Sequence, residues 1–419
     1  MTPSLSTDRF LAVRRLAVLA LGFSVLAPPA VAAQVDFRPV LTFGVLHSGN
    51  VRIIGTDTVA EESAAIAVDL SVDRATASSD FSFLYQATYI GYRRNSGLDF
   101  LGNLLAASYG KQVSRRTNLQ ATGGVLRTDV QGVAASSIDS QSGAASNVDR
   151  PLTFVPRTTI TRGYGDVSGS VGVGRRGFVD WAVRAGVSRY AEVPGVVLNN
   201  STSAGARGGW RYELNERGTL GLAVSLDWFA YDVGANVVTE GLVLTGTYNL
   251  GRYTGLTYDA GLTRSTSDGL STTSATILLS FERVLSKVSS LTAGVRQFVT
   301  PGTGLQGATS DSGTWISYKQ SSPRNGLDGR LVGAYWYSKG LQFGDTPTTN
   351  TQTLNLAGAL GWRFNRFLSL SAAYAYFYQL DRGDSASSLN TRYASYGLFL
   401  RWGIRGLADS PRGGARRRR

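Results

Sequence analysis

Residues 354–378 read LNLAGALGWRFNRFLSLSAAYAYFY. Leu354, Leu356, Gly358, Leu360, Trp362 and Phe364 fall on one parity. After Asn365-Arg366, Leu368, Leu370, Ala372, Tyr374, Tyr376 and Tyr378 take it up again. Side chains alternate between the two faces of a strand, so this stretch predicts two antiparallel strands, each with one apolar face, joined by a tight turn. The same period of two runs through Ile66, Val68, Leu70 and Val72, through Phe81, Phe83, Tyr85, Ala87 and Tyr89, and through Leu220, Leu222, Val224, Leu226 and Trp228. It returns in Leu242 to Leu250 and Leu256 to Leu262. The opposite parity carries Gly, Ala, Ser, Thr, Asn, Asp and Arg.

A soluble sandwich also alternates, and the connections separate the two cases. Short ones fall at 74–79, 112–116, 174–177, 215–218, 251–253, 283–287, 322–326 and 365–366, and longer segments rich in Gly, Ser, Thr and Asp lie between them. The longest, 130–152, exceeds what compact soluble domains usually hold between elements. Short turns at one rim and long loops at the other predict an all-β fold, an antiparallel up-and-down transmembrane barrel of about eighteen strands. Two weaker strands, one in 158–174 with an apparent change of parity and one at 315–320, leave sixteen as the other even count. The aromatic residues Trp210, Trp228, Trp362, Trp402, Tyr109, Tyr374 and Tyr378 stand on the apolar parity near strand ends, as expected for rings at a membrane interface.

The N-terminus places Arg9, Arg14 and Arg15 before an apolar run, 16–27, and ends in Ala30-Val31-Ala32-Ala33. That is the order of a secretory signal, cleaved near Ala32/Ala33. The expected organisation is a signal peptide at 1–33, a barrel at 34–402 and a basic periplasmic tail at 403–419, in the outer membrane. The partners expected are outer-membrane lipid and lipopolysaccharide, and the barrel assembly machinery, to which the last strand, Tyr396, Leu398, Leu400 and Trp402, offers an aromatic-ended signal.

Of 419 residues none is cysteine and one, His47, is histidine. Disulfide frameworks and thiolate metal sites are therefore excluded, and no cofactor, metal site or catalytic residue is expected. Gly172-Val173-Gly174-Arg175-Arg176-Gly177 matches a dinucleotide fingerprint, but alternation continues after it where a helix would be required, so it reads as a hairpin turn. The formal charge of +13 suggests nucleic acid until it is located. The signal holds a net +2 and Arg412 with Arg416 to Arg419 another +5, while much of the remainder decorates the short turns. Acidic residues gather instead in the long segments, among them Glu61, Glu62, Asp129, Asp232, Asp268, Asp311 and Asp381. Cations spread over turns do not make a nucleic-acid groove.

Parity assigns Asp69, Asp73, Asp180, Glu213, Asp227, Asp259 and Glu282 to the interior, with Arg184, Arg207, Arg211, Arg296, Arg330, Arg363 and Arg401. Of these, Asp69, Asp180, Arg184, Arg211, Asp227, Asp259, Arg296, Arg330, Arg363 and Arg401 are the expected pore-lining set. Seven residues of each sign predict a lumen of mixed charge, with neither sign dominant. The segments VDLSVDRA (68–75), FSFLYQATYIGYRRNSGLDF (81–100), LGNLLAASYGKQVSRR (101–116), TNLQATGGVL (117–126) and TRGYGDVSGSVGVGRRGFVDWAVRAGVSRY (161–190) have a shared layout. It resembles the outer-membrane barrels encoded with exopolysaccharide and exosortase (PEP-CTERM) systems. The resemblance implies an envelope role near polysaccharide secretion and assigns no functional residue. The functional expectation is a porin-like channel, in its finer form a conduit for an extracellular polysaccharide; the alternative is a non-conducting structural or polysaccharide-anchoring barrel. An enzyme is not expected.

Overall fold

A computed structural model describes residues 34–49, 60–129, 158–192, 198–300, 308–322, 326–341, 343, 350–365, 367–382 and 391–403. The signal segment, the 130–152 loop and the tail from 404 lie outside the described residues. The strands are β1 Gln34–Ser48, β2 Glu61–Ala75, β3 Ser79–Tyr92, β4 Phe100–Ser114, β5 Thr117–Asp129 and β6 Thr159–Val173. They continue as β7 Gly177–Tyr190, β8 Ser201–Asn215, β9 Gly218–Tyr231, β10 Val237–Gly251, β11 Thr254–Ser267 and β12 Leu270–Ser286. The last six are β13 Ser289–Thr300, β14 Thr309–Ser322, β15 Leu327–Gly340, β16 Asn350–Arg363, β17 Leu368–Arg382 and β18 Thr391–Gly403. Each pairs antiparallel with its neighbours in chain order, and β1 pairs with β18 from Val40↔Gly403 to Ser48↔Ser395. The sheet is thus a closed barrel of 18 strands. Among the described residues no helix is long and apolar enough to cross a membrane.

The cross-strand register carries one face continuously around the barrel. Phe43 faces Leu400 and Ile66, Leu105 faces Val125, Trp210 faces Leu222, and Leu360 faces Leu331's neighbour Gly329. This face holds apolar side chains that stay open to the surroundings, such as Val45, Val183, Leu242, Leu331 and Trp402, the last 62% exposed. The other parity holds the most deeply buried side chains, Trp336, Gln379, Thr351, Asp311 and Ser265, so it is the concave, lumenal face. Trp210, Trp228, Trp362, Trp402, Tyr109 and Tyr374 all stand exposed on the outer face.

Three expectations change. First, β6 keeps one parity, pairing with β5 and β7 without a register shift. Its outer face carries Gly163, Gly165 and Gly169, so small residues on the lipid side had imitated a change of face. Second, β14 turns Trp315 inward and Ser312 and Thr314 outward, an inversion of sidedness that weakened its pattern. Third, the upper rim is uneven. Asp268 lies not in a long loop but in a two-residue turn between β11 and β12, where its φ of 48° and the 79° of Gly269 give both central positions the left-handed conformation a tight hairpin favours. Glu61, Glu62, Asp129, Asp311 and Asp381, also expected in loops, belong to strands. Most strands run 14 or 15 residues, where about 9–11 suffice to cross a bilayer, so their upper ends absorb residues that read as loop.

Glycine and aromatic residues meet across the ladder. Gly169 faces Trp181, Gly294 faces Trp315, Gly313 faces Trp336 and Gly246 faces Tyr258. In each pair the ring lies over the glycine, where no Cβ could fit. A ring covering the glycine backbone keeps the wall closed at residues with no side chain. A Cβ on Gly169 would sit 2.7–2.8 Å from three atoms of the Trp181 indole, whereas Gly165 has nothing within 4 Å. Gly169→Val is therefore expected to cost about 1–3 kcal/mol through overpacking, and Gly165→Ala to be neutral. Urea titration of the fast-running, unheated band on SDS gels checks both.

Candidate functional site in the barrel lumen

Three Arg–Asp pairs step down the wall formed by β7 to β11. Arg184 donates to Asp227 Oδ1 from Nε at 3.0 Å and from Nη2 at 2.7 Å. The pair reaches over β8, because the residue between its partners is Gly205, whose absent Cβ would collide with Asp227 Oδ1 and lie 3.0 Å from Arg184 Nε. Arg211 grips Asp180 with both branches, Nε to Oδ2 at 2.8 Å and Nη2 to Oδ1 at 3.2 Å. Arg207 approaches Asp259 at 3.8 Å. Toward the short-turn end, Arg38 lies between Asp36 and Asp73, and Arg363 donates to Asp328 at 3.1 Å. Phe178 carries the guanidinium groups of Arg116 and Arg211 at 4.9 and 4.8 Å from its ring.

The neighbouring wall is aromatic. Trp315 and Trp336 stack with centroids 6.4 Å apart, Phe298 meets Trp336 edge-on at 6.1 Å, and Arg296 sits 4.0 Å over Phe298. At the upper mouth, Phe229 of β9 and Val237 of β10 form one apolar cluster with Ala308, Leu341 and Phe343 from the β13–β14 and β15–β16 connections. Thr263, Ser265 and Ser267 on the adjoining inner wall are buried. The cluster joins strands β9 and β10 to residues that follow β13 and β15 at the upper mouth. The 130–152 segment lies outside the described residues.

The register puts all ten expected pore-lining residues on the lumenal parity. It joins four of them into two ion pairs, Arg184–Asp227 and Arg211–Asp180, and gives Asp259 the partner Arg207. Arg296 belongs to the aromatic wall, Arg363 of β16 joins Asp328 of β15, and Asp69, Arg330 and Arg401 lie on β2, β15 and β18. Sequence reasoning left out Arg38, Arg162 and Lys319 among the cations. Among the carboxylates it left out Asp36, Glu61, Asp80, Asp166, Asp311, Asp328 and Asp381, all on the same parity. The described lumenal face therefore carries ten cations and fourteen carboxylates, and the expected balance of sign is corrected to an acidic excess.

His47 faces outward and stacks on Tyr396 at 4.9 Å. The glycine-rich run at 172–177 forms the β6–β7 turn, with Gly174 at φ 65°. Among the described residues no group of three or more His, Cys, Asp or Glu is arranged to hold a metal ion.

No family model and no curated protein sequence matches the chain. Solved structures with similarity include OccK2 (OpdF) of Pseudomonas aeruginosa in complex with glucuronate, at 13% identity and a TM-score of 0.44 over 88% of this chain and 98% of that one. The siderophore receptor PirA of Pseudomonas aeruginosa is similar at 10% identity and a TM-score of 0.43, over 90% of this chain and 81% of that one. A ferric enterobactin receptor (PfeA) mutant of the same organism gives 10% and 0.42, over 87% and 80%. At such low identity and TM-score, function has to be read from this chain's own residues.

Gly205→Ala is expected to part Arg184 from Asp227 without removing either charge. Because the Arg184 side chain is 64% exposed, the loss should be modest, about 1 kcal/mol. Arg184→Met should cost a similar amount, and the double variant no more than either, since both break one contact. Urea midpoints of the folded barrel check this.

Proposed function

We propose that the chain is an outer-membrane channel for small polar solutes, and that its finer role is passage of an extracellular polysaccharide. The observation that carries the channel reading is water access inside a closed wall. Arg184, Arg207 and Asp180 face the lumen, yet their side chains are 64%, 45% and 39% exposed. Ionised groups stay half-solvated inside a barrel only where the interior is wide enough for water, as eighteen strands allow. The outer face supports the membrane setting. Open apolar side chains ring the barrel, and closure satisfies the backbone groups that lipid cannot. Insertion by the assembly machinery and contact with lipopolysaccharide follow from that setting.

Lumenal hydroxyls such as Ser225, Thr245, Thr257 and Ser280 suit a hydrated chain of sugars, and the resemblance to exopolysaccharide-associated barrels points the same way. The apolar cluster of Phe229, Leu341 and Phe343 favours one alternative, a barrel closed at rest that anchors surface polymer.

Purified protein in planar bilayers is expected to conduct, and Phe229→Ala with Phe343→Ala to raise the conductance or the open fraction. Silence from both proteins, each shown to be folded by the unheated gel band, would exclude an open pore and leave the anchoring barrel.

A further inference from the structure

The protein as a whole is cationic, but the surface a solute would traverse is not. On the described lumenal face carboxylates outnumber Arg and Lys by fourteen to ten. Pairing leaves that excess of four in place, because Arg184, Arg207 and Arg211 each neutralise one carboxylate, Asp227, Asp259 and Asp180. Asp80, Glu213 and Glu282 have no ion-pair partner among the described residues. They lie on β3, β8 and β12, each within the last few residues of its strand at the short-turn end, so they are spread around one mouth. The cations of the same parity near that level are Lys319 of β14, Arg330 directly opposite it on β15, and Arg401 of β18, on the far side of the barrel from Glu213. Arg116 leans over Phe178 on the same side, while Arg162 sits near the other end of β6.

From this arrangement we infer that the pore prefers cations, and that Asp80, Glu213 and Glu282 set the preference at the short-turn mouth. The inference rests on the channel reading and names the solute class it would favour, small cations over small anions. The physical basis is the field of fixed charge in a water-filled passage. Paired charges act as dipoles whose fields fall off quickly, whereas an unpaired carboxylate projects its field about a Debye length, roughly 10 Å at 0.1 M salt. The preference should therefore strengthen as salt is diluted. The basic turns do not cancel it where they stand outside the wall, as Arg74 and Arg283 do by parity.

The test is the reversal potential of the full-length protein in planar bilayers under a KCl gradient. Wild type should reverse with cation sign, more strongly in dilute KCl. The triple variant Asp80→Asn, Glu213→Gln, Glu282→Gln should move the reversal potential toward zero, and Lys319→Gln should move it further to the cation side. Each variant is first shown to keep the unheated, fast-running gel band. Conductance with a zero or anion-sign reversal potential in wild type would overturn the inference and leave the channel standing. Conductance whose selectivity ignores the triple variant would overturn the assignment to these residues. Absence of conductance, with the mouth cluster opened by Phe229→Ala and Phe343→Ala, would overturn the channel reading itself and this inference with it.

Discussion

Closure of the backbone ladder is the constraint from which the rest of the structure follows. A strand edge in lipid would leave a row of N–H and C=O groups without partners, each costing several kcal/mol, so the first and last strands must meet. Here they do so over nine of the 15 residues of β1, from Val40↔Gly403 upward, while its first residues pair with β2 alone. Closure forces every strand to show one face to the surroundings and one to the lumen, and this produces the period of two. It also makes thin places in the wall a liability. Glycines on the strands serve a wall that must curve, and the aromatic residues set opposite several of them, Trp181 over Gly169 and Trp336 over Gly313, cover the bare backbone.

The fold was legible in the sequence because lipid contact is a statement about single residues. Whether Leu398 or Trp402 faces outward needs no knowledge of its neighbours, so parity carries the strands, and the alternation of short and long connections carries the barrel and the tight-turn rim. The same reasoning faltered where the lipid face is built from glycine, as in β6, or where Trp315 and Trp336 turn inward. Hydropathy read along one strand has no means of telling a lumenal indole from an interfacial one. It also placed strand ends too low. Hydropathy marks the part of a strand inside the bilayer, whereas hydrogen bonding continues above it, and Glu61, Asp311 and Asp381 lie in that extension.

The site was less legible than the fold because its contacts are relations between strands. Arg184 and Asp227 are 43 positions apart and bond over an intervening strand, and only Gly205 between them leaves the path open. Parity could place both residues inside, but pairing them requires register, which depends on the whole ladder. The upper apolar cluster is of the same kind. Phe229 and Phe343 are 114 positions apart and share one cluster, beside a two-residue turn at Asp268-Gly269 where the sequence suggests another long loop.

Charge follows this division between local and relational information. The formal +13 is a sum over the basic N-terminal and C-terminal segments, the turns and the lumenal face, and a solute in the proposed passage responds chiefly to the last of these. Read from the clearest strands alone, the lumen held seven charges of each sign. The register brings in ten more, of which seven are carboxylates; six of these stand near strand ends, and Glu61, Asp311 and Asp381 among them read as loop residues in the sequence. The sign of the interior is therefore decided at the ends of strands, where hydropathy is least informative and where a solute first meets the wall. A basic protein with an acidic lumen is then physically consistent. Cations on turns stand in solvent at high dielectric and are screened, while carboxylates on the inner wall face a narrower volume of water whose ions they help to select.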